Sequence, residues 1–234
     1  MEFRIISIGC LPAHPLWNER SPVRTGHATT TLISAGKRKI LVDPGLPPQM
    51  LAARLNERAG ISPQDITDVF LTSFAPDVRR GLQLFDGATW HISETEREVV
   101  GVNIATALKD LVMRREDQGG VAKDESLREI LEQDIAMLSK CKNAPDSLVE
   151  RVDLFPLPGV SPGMCGLLLS HARHTVLVCG DAIPTVEHIE QGKSPSPVPD
   201  LQAAKASFEE ALEIADLLIL GRDNIVVNPT KRPF

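Results

Sequence analysis

Short runs of apolar and β-branched residues occur in two clusters, one in each half of the chain, and helix-favouring residues follow each cluster. The runs predict strands, because β-branched side chains pack well on a pleated surface. The predicted strands are residues 3–8, 29–34, 39–42, 69–72, 152–156, 166–169, 175–178 and 217–220. This distribution favours two packed sheets with helices outside. We therefore expect an α/β (α+β) fold, an αββα sandwich of two mixed β-sheets with helices on both outer faces.

Residues with helical preference lie between and after the predicted strands. Residues 47–59 place apolar side chains at helical spacing, with a proline near the start and a glycine just past the end. Residues 202–215 are amphipathic in the same way. The segment 94–150 is rich in Ala, Leu, Glu, Lys and Arg, and predicts helices with a break near Gly119–Gly120. No repeat or linker divides the chain, so we expect one domain over residues 1–234 that contains this helical segment.

Charge and composition narrow the classes of partner. A net charge of −6 and an isoelectric point near 5.5 argue against nucleic acid, whose binding proteins usually present basic surfaces. No apolar run is long enough to cross a bilayer, and the start of the chain does not resemble a signal peptide, so we expect no membrane partner. The four cysteines form no C-x-x-C pair, which favours a reducing cytoplasm over a disulfide framework.

Five blocks of sequence follow one another in an order that is typical of a known family. They are residues 31–45 (TLISAGKRKILVDPG), 71–81 (LTSFAPDVRRG), 155–169 (FPLPGVSPGMCGLLL), 176–183 (VLVCGDAI) and 215–226 (ADLLILGRDNIV). Together they resemble the metallo-β-lactamase-fold superfamily, also called the metallo-hydrolase/oxidoreductase fold. The second block is similar to the family's loop T-H-x-H-x-D-H-x-G. The resemblance spans residues 3–227 and implies the αββα sandwich.

The resemblance implies a centre in which five His and two Asp hold two metals, but the sequence has no imidazole at those positions. They hold Ser73, Ala75, Asp77, Val78, Val160, Asp181 and Arg222. A catalytic zinc needs about three nitrogen, sulfur or oxygen donors and an open position for water. Alanine and valine supply no donor, and arginine is a fixed cation that repels a metal. We therefore expect a divergent member with a degenerate site that has no metal, no cofactor and no catalytic residue of the family's kind.

The two aspartates at these positions need a new source of positive charge. Two buried carboxylates without a cation repel each other and lose hydration, which costs several kcal/mol. The planar guanidinium of Arg222 matches a carboxylate. We hypothesise that Arg222, helped by Arg79, replaces the metal ions between Asp77 and Asp181. The hypothesis fails if Arg222 lies more than about 6 Å from both aspartates.

Other polar residues have simpler interpretations. Asp43 ends a predicted strand in an Asp-Pro-Gly turn, and we expect a structural role for it. We expect the side chain of His27 to be held by hydrogen bonds rather than to bind a ligand. His171 and His174 flank a tight turn, where H-x-x-H spacing does not build a site on a helix face. His188 follows the fourth block and is the one histidine that we retain as a candidate for ligand binding.

Two interpretations from different classes stay open, and the first is favoured. It is a pseudoenzyme that binds a small anionic molecule in a pocket lined by Ser73, Arg79, Arg222 and His188. An alternative within the same class is a protein partner, or a second copy of the chain in a homodimer, held by the helical segment 94–149.

The second interpretation is a hydrolase of ester, lactone or thioester substrates. It would hold one hard cation on Asp77, Asp181 and Ser73 through oxygen ligands, or use a metal-free site. The fixed charge of Arg222 argues against a cation there. Ser73 has no histidine in the neighbouring motifs to serve as its base, and the tyrosine of lactonase-like members has no counterpart, because the chain contains none.

Overall fold

A computed structural model describes residues 1–117 and 122–231, and within these ranges two six-stranded sheets face each other. The first sheet contains β1 to β6 in chain order. These strands are Glu2–Ser7 (β1), Thr30–Ala35 (β2), Arg38–Val42 (β3), Asp68–Leu71 (β4), Thr89–Ile92 (β5) and Lys142–Asn143 (β6). The first three strands pair antiparallel, and β3 to β6 pair parallel, so the sheet is mixed.

The second sheet contains the remaining strands in the order β12-β11-β10-β9-β8-β7. They are Ser147–Val149 (β7), Val152–Pro156 (β8), Cys165–Ser170 (β9), Thr175–Gly180 (β10), Leu217–Leu220 (β11) and Ile225–Val227 (β12). Only β10 and β11 run parallel, and the other neighbours are antiparallel. The carboxyl ends of β10 and β11 therefore lie at the same edge of the sheet.

Helices cover the outer face of each sheet. The first sheet is covered by α1 (Pro48–Ala59), α2 (Glu94–Asp117) and α3 (Ala122–Lys140), and the second by α4 (Val186–Gln191) and α5 (Leu201–Ile214). This arrangement confirms the expected αββα sandwich. Within the described ranges, no helix combines the length and the apolar character that crossing a bilayer requires.

Successive side chains along each strand point to opposite faces of the sheet, and the apolar ones pack into three separate clusters. Val42 packs in the cluster between the sheets, and its neighbour Leu41 packs beneath the helices of the first sheet. In the second sheet, Val176 faces the other sheet and Leu177 faces α5. Successive side chains on a strand point to opposite faces, so strands that are buried on both faces consist of continuous apolar runs. This is why the central strands are apparent in the sequence.

The structure differs from the predicted elements mainly in the segment 94–150. Helix α3 ends at Lys140, and residues 142–149 contain β6 and β7 instead of helix. Asn143 and Pro145 lie in this stretch, and both residue types disfavour helix. The predicted break at Gly119–Gly120 lies outside the described residues. The strands β5 and β12 and the six-residue helix α4 were not predicted.

Candidate functional site

Three loops bring Asp77, Asp181 and Arg222 together at one end of the sandwich. Asp77 lies in the loop after β4, Asp181 directly follows β10, and Arg222 lies two residues beyond β11. Close packing of the last two loops requires glycine at position 221. A Cβ atom on Gly221 would lie 2.3 Å from the carbonyl oxygen of Gly180. The backbone therefore holds Asp181 and Arg222 side by side.

The guanidinium of Arg222 lies between the two carboxylates. Its Nε donates to Asp181 Oδ1 at 2.6 Å and its Nη2 donates to Asp181 Oδ2 at 2.6 Å, a bidentate pair. Its Nη1 donates to Asp77 Oδ2. The side chain of Arg222 is 4% exposed, compared with 28% for Asp77 and 18% for Asp181. Solvent therefore reaches the aspartates but hardly reaches the cation between them.

The charge of Arg222 is fixed by its neighbours. Burial disfavours the charged guanidinium, but the carboxylates of Asp181 and Asp77 outweigh that effect and raise the pKa of Arg222. The three side chains carry a net charge of minus one, because two carboxylates face one guanidinium. The guanidinium of Arg222 itself stays cationic at the pH of any cell.

Asp43 lies behind this cluster as a structural tie between β3 and β4. Its carboxylate accepts hydrogen bonds from the backbone N of Thr72 at 2.8 Å and from Thr72 Oγ1 at 2.7 Å. Burial raises the pKa of Asp43 to about 7, against the effect of the Thr72 hydrogen bonds, and the charge of Asp181 raises it further. Its backbone is left-handed, with φ of 51°, which aspartate tolerates better than most residues. The structural interpretation from the sequence agrees with this geometry.

The remaining positions of the predicted site supply packing. Val78 is buried in the apolar cluster beneath the helices of the first sheet, and Ala75 packs against the same cluster. Val160 packs against the cluster on the outer face of the second sheet. Ser73 is buried directly after Thr72. None of these side chains except Ser73 carries a polar atom that could hold a ligand.

Arg79 does not join the cluster, contrary to the hypothesis that it helps Arg222. Its Nη2 donates to Asp134 Oδ1 on α3 at 2.7 Å, and its Nε donates to the carbonyl oxygen of Phe74 at 3.0 Å. Its guanidinium also lies 4.3 Å from the centre of the Phe74 ring. Arg79 therefore fastens the loop after β4 to α3, and it is not free to bind an anion in the expected pocket.

His188 belongs to a second polar cluster, which also contains His14, a residue that no motif in the sequence marks as a candidate. His188 Nδ1 lies 2.9 Å from Thr185 Oγ1, which lies 3.0 Å from His14 Nε2. The same His14 atom lies 3.2 Å from Glu187 Oε2. Among the described residues, no hydrogen bond or ion pair joins His188 to Arg222. The sequence gives only a weak indication that His14 belongs to this cluster, because His14 stands alone in an irregular segment, 173 residues away from Glu187.

The other histidines do not form a site. His27 Nε2 lies 3.1 Å from the carbonyl oxygen of Ile8 and its Nδ1 lies 3.6 Å from Cys10 Sγ, so the ring is held by hydrogen bonds as expected. His171 and His174 stack on each other at a turn, with ring centres 4.8 Å apart. Each ring therefore has a local structural partner.

The residues at the seven positions do not fit the two-metal centre that the resemblance implies. Asp77 and Asp181 are the only carboxylates there, and both are hydrogen-bonded to Arg222. The part of the chain that the structure describes contains no group of three or more His, Cys, Asp or Glu side chains that could hold a metal ion. A zinc ion would have to displace the guanidinium and would still lack nitrogen ligands.

Sequence and fold place the chain in a known class. Residues 23–220 match the family model of the metallo-beta-lactamase superfamily, which is most of the chain. The protein therefore belongs to the metallo-beta-lactamase superfamily. A comparison with curated protein sequences returned no match.

Several solved structures share the fold. A Thermotoga maritima protein of metallo-beta-lactamase type has a TM-score of 0.66 and 22% identity, with 97% of this chain and 98% of that chain covered. A quorum-quenching N-acyl homoserine lactone lactonase has a TM-score of 0.63 and 19% identity, with 99% and 95% covered. AidC, a dizinc quorum-quenching lactonase, has a TM-score of 0.59 and 24% identity, with 80% and 67% covered. At these identities the likeness concerns the fold alone.

Proposed function

We propose that this protein is a pseudoenzyme of the superfamily, which binds a small molecule or a protein and does not carry out zinc-dependent hydrolysis. The observation that supports the proposal is the bidentate pair between Arg222 and Asp181, together with the contact of Arg222 to Asp77. A guanidinium in this position is a permanent substitute for a metal ion, because it cannot lose its proton and already uses the carboxylate oxygens.

Electrostatics supports the same conclusion. A divalent cation at Asp77 and Asp181 would lie beside the buried charge of Arg222, and the two cations would compete for the same two carboxylates. The side chain of Arg222 is only 4% exposed, so water screens this repulsion poorly. The free energy of metal binding would have to offset both the repulsion and the loss of three hydrogen bonds.

The pairing also changes where a ligand is expected. The sequence suggested an anionic ligand in a pocket with an unpaired arginine, but Arg222 is paired with Asp77 and Asp181, and Arg79 is paired with Asp134. The former metal site therefore offers little attraction for an anion.

All four cysteines are free thiols, which supports the expected location in a reducing cytoplasm.

The test is the metal content of protein purified without chelator, measured by elemental analysis with Zn²⁺, Mn²⁺ and Mg²⁺ added to parallel samples. We expect only trace metal in the wild type, because Arg222 occupies the carboxylates. Arg222→His, which places an imidazole at the ligand position, should take up more Zn²⁺ than the wild type. About one metal per chain in the wild type would contradict the proposal.

A variant that removes the cation separates its structural role from metal exclusion. Arg222→Met leaves two partly buried carboxylates without a partner, and should lower the free energy of unfolding by about 3 kcal/mol. The double variant Arg222→Met/Asp181→Asn removes one of the two charges and should recover part of that loss. Equal stability of Arg222→Met and the wild type, measured by urea denaturation, would show that the guanidinium is not the central charge of the site.

The second candidate function is hydrolysis of an ester, lactone or thioester. Two observations favour it: solvent reaches Asp77 and Asp181, and the structures that share the fold include two lactonases. Wild-type protein incubated with each substrate class, with and without added metal, tests this candidate. Turnover that disappears in Asp181→Asn but persists in the surface variant Asp86→Asn would favour the hydrolase over the pseudoenzyme.

A further inference from the structure

A cavity lies next to the polar cluster that contains His188. One wall is formed by Pro15 and Leu16, which lie between β1 and β2. The other wall is formed by residues of α4, of α5 and of the segment that joins them. The volume of the cavity is about 730 Å³. Binding sites for small molecules usually measure about 300–1,000 Å³. None of the seven positions of the former metal site lines this cavity. It is therefore a separate candidate for ligand binding.

Hydrogen bonds behind the cavity hold the ring of His188 in place. His14 Nε2 lies 3.2 Å from the Glu187 carboxylate, so it must carry a hydrogen, because two acceptors would repel each other. Thr185 Oγ1 lies 3.0 Å from the same nitrogen and 2.9 Å from His188 Nδ1, so the hydroxyl links the two rings. His188 Nδ1 is therefore engaged behind the cavity, which leaves Nε2 as the ring nitrogen available to the cavity.

His188 is neutral at physiological pH. Burial lowers the pKa of its imidazole to about 4, and the nearby His14 lowers it further against the opposing charge of Glu187. The ring that lines the cavity is therefore uncharged at this pH.

Two lysines add positive charge to the cavity. Lys193 and Lys205 line the cavity, and Glu209 is the one carboxylate among the described lining residues. Lys193 Nζ donates to Gln191 Oε1 at 2.9 Å, and no described carboxylate lies within ion-pair distance of either lysine. The cavity thus carries a local excess of one positive charge in a protein whose net charge is −6. That excess favours an anionic headgroup.

The other lining residues are apolar. Phe208 is buried at the cavity, Leu16 is partly buried, and Leu201 is 44% exposed. An aliphatic chain placed against these side chains would remove apolar surface from water, which is favourable. The lining therefore combines a polar side for a headgroup with an apolar side for a tail.

We propose that this cavity binds a small amphipathic monocarboxylate, with its carboxylate on Lys205 and its aliphatic chain against Leu16, Leu201 and Phe208. The inference goes beyond the proposed function and does not depend on the state of the Asp77–Arg222–Asp181 cluster. A metal at that cluster would contradict the pseudoenzyme proposal and leave this one standing.

The test is isothermal titration calorimetry of the full chain with octanoate and with octanamide, which has the same tail and no charge. Octanoate should bind at least about ten-fold more tightly than octanamide, because only the carboxylate forms a charge-assisted hydrogen bond to Lys205. Lys205→Met should weaken octanoate binding about ten-fold and leave octanamide binding unchanged. The matched control Lys109→Met, on the exposed surface of α2, should bind octanoate like the wild type.

A tail variant completes the design. Leu201→Ser should weaken octanoate and octanamide to the same extent, because it removes apolar contact without changing the charge. The proposal is overturned if octanoate binds no better than octanamide, if Lys205→Met binds octanoate as Lys109→Met does, or if neither compound binds. Thermal unfolding of each variant should match that of the wild type, because Lys109, Leu201 and Lys205 are all exposed, and this measurement verifies that the cavity remains folded.

Discussion

At the scale of single residues, the environment of His188 predicts a measurable pH dependence of stability. Burial lowers the pKa of its imidazole from 6.5 to about 4. Between these values the unfolded chain binds the proton more readily than the folded chain. The free energy of unfolding should therefore fall by up to about 3 kcal/mol as the pH drops from 6.5 to 4. Above pH 6.5 this contribution is fully present.

Asp43 contributes with the opposite sign, so the wild-type profile alone does not isolate His188. The pKa of Asp43 is raised from 3.8 to about 7, and its contribution to stability is lost as the pH rises through that range. The measurement is urea denaturation of the wild type and of His188→Gln at several pH values between 4 and 7. Because Asp43 is present in both proteins, the difference between them reports His188. A difference that is constant over this range would contradict the prediction.

Single residues also show how far the sequence could predict the site. The proximity of Arg222 to Asp77 and Asp181 could be inferred, because the resemblance places all three at one centre and two carboxylates there need a cation. The contact between Arg79 and Asp134 could not be inferred, since 55 residues separate them and Asp134 has no motif. Charge balance predicts that a partner exists, but only the packing of α3 determines which residue it is.

At the scale of elements, the loop between β8 and β9 is locked to the start of α2. Glu96 Oε2 accepts hydrogen bonds from Ser161 Oγ at 2.7 Å and from the backbone N of Gly163 at 3.2 Å, and its Oε1 accepts from the backbone N of Phe74 at 3.0 Å. Glu96 is almost fully buried. This carboxylate therefore joins two loops near the candidate site to one helix.

The close approach at this junction predicts that Gly163→Ala is strongly destabilising. A Cβ atom at position 163 would lie 2.0 Å from the backbone N of Glu96 and 2.4 Å from its Cα, so the loop would have to move. We expect a loss of about 2–3 kcal/mol in the free energy of unfolding. Gly87→Ala is the matched control, because a Cβ atom at position 87 would have no neighbouring atom within 4 Å. Equal stability of the two variants, measured by urea denaturation, would contradict the prediction.

Element length decided which strands the sequence could predict. The central strands were predicted because burial on both faces produces continuous apolar runs. The strands β6, β7 and β12 contain only two or three residues each, which is too short for any pattern. In β5 the pattern is obscured by His91, which is buried and whose Nε2 lies 3.0 Å from Asp68 Oδ1. A buried polar residue with a partner looks like a surface residue in the sequence.

At the scale of the whole molecule, the order of helices and strands was predictable from the sequence. The surfaces that form where segments far apart in the sequence come into contact were not. Two clusters of strands, each followed by helix, have few packing solutions, and the αββα sandwich is one of them. The cavity beside His188 joins residues 15 and 16 to residues 188–209. Neither segment carries a motif for ligand binding, because the cavity is a property of their contact and not of either sequence.

The surface of α2 and α3 leads to a prediction about association. Several large apolar side chains there are at least a third exposed: Val102, Val112, Met113, Leu127, Ile130 and Ile135. Val102 and Met113 are eleven residues apart, about three helical turns, and Leu127 and Ile130 are three apart, so each pair lies on one face of its helix. Contiguous exposed apolar surface commonly marks an interface. We predict that the protein forms a homodimer through these two helices.

Sedimentation velocity over a range of protein concentrations measures this association directly. The wild type should sediment as a dimer, and Val102→Glu and Ile130→Glu should shift it to monomer, because each buries a charge in the predicted interface. Val23→Glu is the matched control: Val23 is as exposed as Val102 but lies outside both helices, so this variant should remain dimeric. A wild type that stays monomeric at every concentration would contradict the prediction. Dissociation of Val23→Glu would instead assign the interface to a different face of the sandwich.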